Sequence, residues 1–324
     1  MPGREGLEGP EPGGVRRVAV VGTGLIGSGW AAQFLARGLE VIASDLDPAA
    51  EPKLRASVDA AWPALQRVGL SAGASRERLS FVRDLESAVA TADFVQESVP
   101  EVEELKVELL ARIDAAAPEP VLIASSSSGL LPTRLQARCR WPGRIVIGHP
   151  FNPVYLLPLV EVLGGEHTHE TSIDRALTFY RWLGKHPHRV RREIEGDNAD
   201  PLHEAMWREA LHMVADGVAT TAEIDAAILD GPGLRLAIMG PCLTFHLAGG
   251  RGGMEHMLEQ FGPALSLPWT RLQAPALTDT LRDRMIDGTR DQAEGTTLEA
   301  LERERDRCLI EILAVLAEHR ERAR

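Results

Sequence analysis

Two residues of this chain have the types and spacing for proton-transfer chemistry. His149 lies in Gly148-His-Pro-Phe-Asn-Pro153, and Glu161 follows twelve residues later inside Leu159-Val-Glu-Val-Leu163. A histidine between an apolar run and a pair of prolines has little use as core filler. A carboxylate on a neighbouring strand can hold its ring and stabilise the imidazolium, which is what a general base requires. A histidine by itself is more often structural. What gives this one weight is Gly22-Thr-Gly-Leu-Ile-Gly27 upstream, which announces a dinucleotide. A base beside a dinucleotide implies hydride transfer coupled to removal of a proton from an alcohol.

The glycine motif stands in the context it needs. Arg17-Val-Ala-Val-Val21 reads as a buried strand, and Leu25 to Arg37 follows with helical spacing. Gly22 allows the tight turn, Gly24 lets backbone approach the pyrophosphate, and Gly27 permits close helix–strand contact. Leu25 and Ile26 open the helix whose free amides face the phosphates. Asp45 ends the second strand, Leu39 to Ser44, 23 residues after Gly22. A carboxylate there accepts hydrogen bonds from the adenosine ribose and repels a 2′-phosphate. No Arg or Lys lies within the next few residues, so NAD is expected over NADP. The plainer reading of Asp45 is a turn acid like Asp47 beside it. Asp47-Pro48 reads as a helix N-cap with proline at the first helical position.

Further strands are expected at Leu79 to Val82, Phe94 to Gln96, Val121 to Ile123 and Arg144 to Ile147, with helical stretches between several of them. Such alternation specifies an α/β fold with a doubly wound parallel sheet, a Rossmann domain over residues 15–190. Beyond a charged linker at Arg189 to Asp200 the pattern becomes helical, clearest at Leu202 to Gly217, Thr221 to Leu229 and Leu298 to His319, with breaks at Gly231 to Gly233 and Gly249 to Gly253. Residues 191–324 are therefore expected to form a smaller all-α domain for substrate binding and dimerisation, and Met1 to Gly14 a disordered leader. Lys and Arg number 35 against 47 Asp and Glu, a net charge of −12. That balance argues against nucleic acid or an anionic membrane as the main partner. Cys139, Cys242 and Cys308 are too far apart for a metal site and odd in number for a disulfide framework, which fits the cytoplasm. No run approaches membrane-spanning length and the N-terminus lacks an apolar signal core.

The glycine motif, Ser125-Ser-Ser-Ser-Gly-Leu130, His149 to Pro153 and Val160-Glu-Val162 together resemble the 3-hydroxyacyl-CoA dehydrogenase superfamily, from Arg17 onward. Within it the chain looks most like the carnitine-oxidising branch. That closer match is carried by Gly22 to Ala31, His149 to Val162, Trp207 to Leu211, Gly231 to Arg235, Glu259 to Ala264 and Leu267 to Thr270. The resemblance implies that His149 takes the hydroxyl proton, that Glu161 pairs with its ring, and that Ser128 is the active-site serine. It implies that Asn152 contacts the substrate or the nicotinamide end. Glu101 and Lys106 match its acidic and basic positions along the cofactor groove, although both also read as a solvated helix face. A homodimer is implied as well.

The chain departs from that pattern at the expected substrate wall. In Gly196-Asp-Asn-Ala-Asp200-Pro-Leu-His203, Asp200 fits an asparagine or aspartate position, while Asp197 and Asn198 stand where relatives keep apolar residues. Leu236 replaces an aromatic. The plainer reading of such changes is neutral drift. Acids here favour a cationic substrate, a carnitine-like 3-hydroxy acid oxidised with NAD. Reduction of cyclic imines with NAD(P)H is the second reading, since the same acids suit an iminium ion. A 3-hydroxyacyl-CoA substrate ranks below, for want of a basic patch for the CoA phosphates. A non-catalytic dinucleotide-binding protein is opposed by the intact Ser128, His149, Asn152 and Glu161.

Overall fold

The chain is described by a computed structural model at residues 14–194, 199–237, 240–261, 267, 270, 278–281, 283 and 296–322. Asp197 and Asn198, two of the expected substrate residues, lie outside the described residues. It divides into two compact units, Met1–Asp200 with Arg305–Arg324, and Pro201–Glu304.

In the first unit the strands are β1 (Arg17–Val21), β2 (Glu40–Ser44), β3 (Leu79–Phe81), β4 (Phe94–Glu97), β5 (Leu122–Ser125), β6 (Ile145–Pro150), β7 (Leu159–Gly164) and β8 (His186–Arg189). Among the described residues they form one sheet in the order β3-β2-β1-β4-β5-β6-β7-β8. Alternate residues of β1 enter opposite cores: Val18 and Val20 face one, Ala19 and Val21 the other. Burial on both faces is why β1 reads as an apolar run from Val18 to Val21. Helices α1 (Leu25–Ala36), α2 (Ala50–Val68) and α6 (Glu170–Trp182) supply the first core, and α3 (Leu85–Val89), α4 (Glu103–Ala116) and α5 (Pro132–Leu135) cover the second. Trp30, Phe34, Phe94, Phe179 and Tyr180 form an aromatic cluster at the centre of the first.

Three local outcomes differ from the reading of the chain. The sheet is not wholly parallel, because β7 runs antiparallel to β6. The connection between Pro150 and Leu159 is too short for a crossover helix, which needs a dozen residues or more, so the chain must turn back as a hairpin. The start of the expected linker at Arg189 belongs instead to β8, whose His-Pro-His-Arg sequence carries no apolar pattern. It is an edge strand, where a proline costs no ladder bond that matters. Finally, α2 begins at Ala50 rather than Pro48. Asp47 Oδ1 accepts the Ala49 amide at 2.8 Å, making a turn that feeds the helix instead of a cap on it.

The second unit is helical. Helix α7 (Ala199–Ala215) leads into it, followed by α8 (Thr221–Leu229), α9 (Pro232–Leu236), α10 (Pro241–Ala248) and α11 (Gly253–Phe261). Thr220 and Glu223 form a reciprocal capping box at the start of α8. The helix α12 (Leu298–Arg322) returns to the first unit. There Ile310 packs with Ala64 and Leu156, and the Tyr155 hydroxyl donates to Asp306 at 2.7 Å.

The hairpin between β6 and β7 is held from beneath by Lys185, which is buried and donates to the Val154 and Leu157 carbonyls. Burial lowers this ammonium from the ordinary lysine value of 10.5 to about 7. Between those values the unfolded chain holds the proton and the folded chain does not, so stability rises with pH across that window and is flat below it. Denaturant unfolding of the wild type and Lys185→Met at pH 7 and pH 10 checks this. The difference should move toward the wild type at pH 10, by as much as ~1.4 kcal/mol per pH unit. A pH-independent difference would contradict it.

Candidate active site

The site is built at the C-terminal ends of β1, β4, β5 and β6, where an open α/β sheet leaves a crevice beside its first strand. A groove of about 930 Å³ runs there, from Asp45 and Arg83 past the glycine loop to Ser98, Ser128 and His149. Gly22 has φ +85°, and a side chain on it would strike the Ser98 and Val99 backbone at 2.7 Å. A Cβ on Gly27 would fall 1.9 Å from the Gly22 carbonyl oxygen. Gly24 is different: nothing lies within 4 Å of where its Cβ would be, so its backbone is open to the groove. Leu25 and Ile26 line the groove at the first turn of α1.

Asp45 is more than a surface acid. Its Oδ2 accepts the Thr23 amide at 2.7 Å and the Thr23 hydroxyl at 2.9 Å, and its Oδ1 accepts the Asp47 amide at 3.0 Å. The carboxylate therefore ties the glycine loop to the end of β2 while lining the groove.

His149 and Glu161 are direct cross-strand partners in the β6–β7 register. On an antiparallel pair such residues share a face of the sheet. His149 Nδ1 lies 3.3 Å from Glu161 Oε2, and both side chains are buried. The other carboxylate oxygen accepts the Ala199 amide at 3.1 Å, at the start of α7. Asp200 follows, with its Oδ2 3.8 Å from His149 Nε2. The histidine is thus flanked by one carboxylate on each ring nitrogen, and Phe151 packs 4.9 Å from its ring centre.

The serine run after β5 wraps around Glu101. The Ser127 hydroxyl donates to its carboxylate, and the Ser128 and Gly129 amides do so at 3.0 Å. Burial pushes the Glu101 carboxyl up, but the bonds from Ser127 and Gly129 and the Lys106 charge outweigh it and hold it below the ordinary value. The Ser128 side chain remains at the groove wall. Lys106 does not line the groove. It is buried beneath, 2.7 Å from Glu97 and 3.6 Å from Glu101. Asn152 is exposed at the hairpin, before the cis bond to Pro153. Leu236 is half-exposed on α9 of the second unit.

Sequence reasoning passed over Glu97, Ser98, Ser126 and Arg83. Fully buried Glu97 accepts from Lys106, the Ser125 hydroxyl and the Val99 amide, and so anchors both the serine run and the turn after β4. A signal existed: Phe94-Val-Gln-Glu97 ends a buried strand on two polar residues, which nothing in a core demands.

A family model described as 3-hydroxyacyl-CoA dehydrogenase, NAD binding domain, matches residues 17–194, and that of the C-terminal domain matches 200–284. L-carnitine dehydrogenase of Burkholderia mallei is 58% identical over 92% of this chain and 93% of its own. That of Pseudomonas aeruginosa is 54% identical over 95% of this chain and 96% of its own. Among solved structures, (S)-3-hydroxybutyryl-CoA dehydrogenase from Ralstonia eutropha superposes with a TM-score of 0.62 at 28% identity, covering 85% of this chain and 94% of that one. An NAD+-dependent dismutase, the 5-dehydrogenase of a formyl-hydroxy-methylpyridine carboxylic acid, does so at 0.77 and 26%, covering 93% and 98%.

The dual bonding of Asp45 generates a prediction. Asp45→Ala should raise the Michaelis constant for NAD about tenfold, because the Thr23 amide loses its anchor, and should narrow discrimination against NADP. Titration of both cofactors checks it; a wild type that uses NADP as well as NAD would overturn the role.

Proposed function

The chain belongs to the 3-hydroxyacyl-CoA dehydrogenase family, and on that premise we propose that it oxidises a small cationic 3-hydroxy acid of the carnitine type to the 3-keto acid. It is an NAD-dependent oxidoreductase acting on a CH–OH group. The groove suits NAD: the Gly24 backbone is open to a pyrophosphate, and the Asp45 carboxylate suits a ribose diol and opposes a 2′-phosphate. NAD, when bound, accepts the hydride from the carbinol carbon.

The chain's own residues handle the proton. His149 Nδ1 faces Glu161, and Nε2, with Asp200 3.8 Å away, takes the proton of the substrate hydroxyl as the carbon–oxygen double bond forms. Glu161 offsets the imidazolium charge, and positioned base catalysis of this kind contributes typically 10²–10⁴-fold. The Ser128 hydroxyl, on the groove wall with its loop clamped by Glu101, donates to the oxygen as charge develops on it. Asn152 is assigned to orient the substrate or the nicotinamide.

The single observation that carries the substrate class is Asp200, 3.8 Å from His149 Nε2. In a 4-ammonio-3-hydroxy acid the cation sits on the carbon next to the carbinol. A substrate hydrogen-bonded to Nε2 therefore brings that cation to within a few ångströms of Asp200, an attraction of roughly 1–4 kcal/mol. Both relatives named for carnitine share more than half their residues with this chain. Cyclic-imine reduction finds no support among the relatives and structures compared. A 3-hydroxyacyl-CoA substrate ranks below carnitine, since the structure matched under that kind of name shares 28%.

Assay of carnitine, 3-hydroxybutyrate, a 3-hydroxyacyl-CoA and a cyclic imine by nicotinamide absorbance tests the assignment. Carnitine should turn over best. His149→Asn should lower its kcat at least about a hundredfold with NADH binding nearly intact. Preference for the acyl-CoA, or unchanged turnover in the variant, would overturn the reading.

The helical unit is assigned to substrate binding and to a homodimer, and the protein to the cytoplasm. No helix among the described residues is long and apolar enough to cross a membrane. The support for a dimer is apolar exposure: Leu202, Met206 and Trp207 on α7, Leu229 on α8 and Leu243, Phe245 and Leu247 on α10 are all exposed in the single chain. An isolated monomer rarely leaves so much apolar surface to water. Sedimentation at micromolar concentration should give a dimer, and a stable monomer would contradict it.

A further inference from the structure

We propose that Ser98 is a hydrogen-bond donor to the nicotinamide half of the dinucleotide, its proton aimed into the groove by a one-way chain of bonds through Gln96 and Ser126. The direction follows from which groups can only donate. Trp30 Nε1 has a hydrogen and no lone pair to offer, and it lies 3.2 Å from Ser126 Oγ. The Gln96 amide nitrogen donates to the same oxygen at 2.9 Å. Its orientation is set on two sides. The nitrogen also faces the Gly148 carbonyl at 3.4 Å, which can only accept, and the amide oxygen receives the Tyr180 hydroxyl at 2.7 Å. Burial pushes the Tyr180 phenol up, so it keeps its proton to donate.

Ser126 Oγ therefore spends both lone pairs on N–H donors. Among the described residues its own proton has one hydrogen-bond neighbour left, Ser98 Oγ at 2.9 Å. Ser98 accepts that bond, and its hydroxyl hydrogen then points to the groove that both serines line. The origin of the chain is rigid, for Trp30, Gln96 and Tyr180 are fully buried. Gly148 belongs to the same arrangement: a Cβ there would lie 2.0 Å from the Tyr180 hydroxyl. The strand that carries His149 thus leaves room for the tyrosine that begins the chain of bonds.

The place of Ser98 selects the half of the cofactor. It follows β4, on the side of β1 opposite to β2. Asp45, at the end of β2, marks the adenosine side, so β4 stands on the nicotinamide side. The Ser98 amide donates to the Val21 carbonyl at 2.7 Å, which sets the residue against the glycine loop. An outward O–H there suits an oxygen acceptor, a ribose hydroxyl or the carboxamide oxygen.

Calorimetric titration with NADH and with ADP, which lacks the nicotinamide half, tests this without turnover. Ser98→Ala should raise the NADH dissociation constant roughly five- to tenfold, the range of one hydrogen bond, and leave that of ADP unchanged. Ser98→Thr, which keeps the hydroxyl, should restore most of the NADH affinity. A loss shared equally by NADH and ADP would mean a merely structural serine, and unchanged NADH affinity would mean that the hydroxyl does not reach the cofactor. Either result overturns the proposal. If Ser98→Ala does not fold, Ser98→Cys, of similar shape but a weak donor, is read by the same criteria.

Discussion

The antiparallel pairing of β6 with β7 is the constraint on which the site depends. It makes His149 and Glu161 direct neighbours across two hydrogen-bonded strands, with the ring nitrogen and carboxylate 3.3 Å apart. A slip of one residue would turn every side chain of β7 to the other face of the sheet. Glu161 would then leave the histidine, and Val160 and Val162 would leave the core they now fill. The apolar neighbours of the glutamate thereby enforce its aim. The same carboxylate also receives the amide of Ala199, so one residue aligns His149 and the start of α7 together.

One pair of buried charges lies beneath the groove, and a second lies where β6 begins. Glu97 and Lys106 are paired inside the first unit at 2.7 Å, and the Arg144 guanidinium meets Asp114 at 2.8 Å near the start of β6. Pairs like these are weak sources of net stability, because desolvation consumes most of the attraction. Their use here is positional. Glu97 accepts from the Ser125 hydroxyl and the Val99 amide, and Asp114 accepts the amides of Arg140 and Trp141. Glu97 thereby holds the turn after β4, which lines the groove, and Asp114 holds the chain that enters β6.

Much of this was legible in the sequence, for definite reasons. Strands buried on both faces carry short apolar runs, so β1, β2, β4, β5 and β6 announce themselves by Val18 to Val21, Val41 to Ala43, Phe94 and Val95, Leu122 to Ala124 and Ile145 to Ile147, and Gly22 to Gly27 mark the turn after β1. The edge strand β8 was not legible, since His186 to Arg189 has one buried residue and no pattern. The antiparallel turn of β7 follows only from the shortness of its connection, which composition does not reveal. Of the candidate site, His149 and Glu161 could be paired from spacing and residue type. The depth of Lys106 could not, because a lysine on an amphipathic helix reads as solvated until its partners Glu97 and Glu101 are placed. Ser98 and Ser126 were hidden for a similar reason: serines near turns are common, and only the geometry of Trp30 and Gln96 gives their hydroxyls a direction.

As the base proposed above, His149 must present an unprotonated Nε2 to the substrate while Glu161 holds the hydrogen on Nδ1. Nitrogen-15 resonances of histidine-labelled protein, with those of His149 assigned by their absence in the Asn variant, report the tautomer directly. The ring hydrogen should reside on Nδ1, and that preference should be lost in Glu161→Gln. A neutral ring carrying its hydrogen on Nε2 would contradict it.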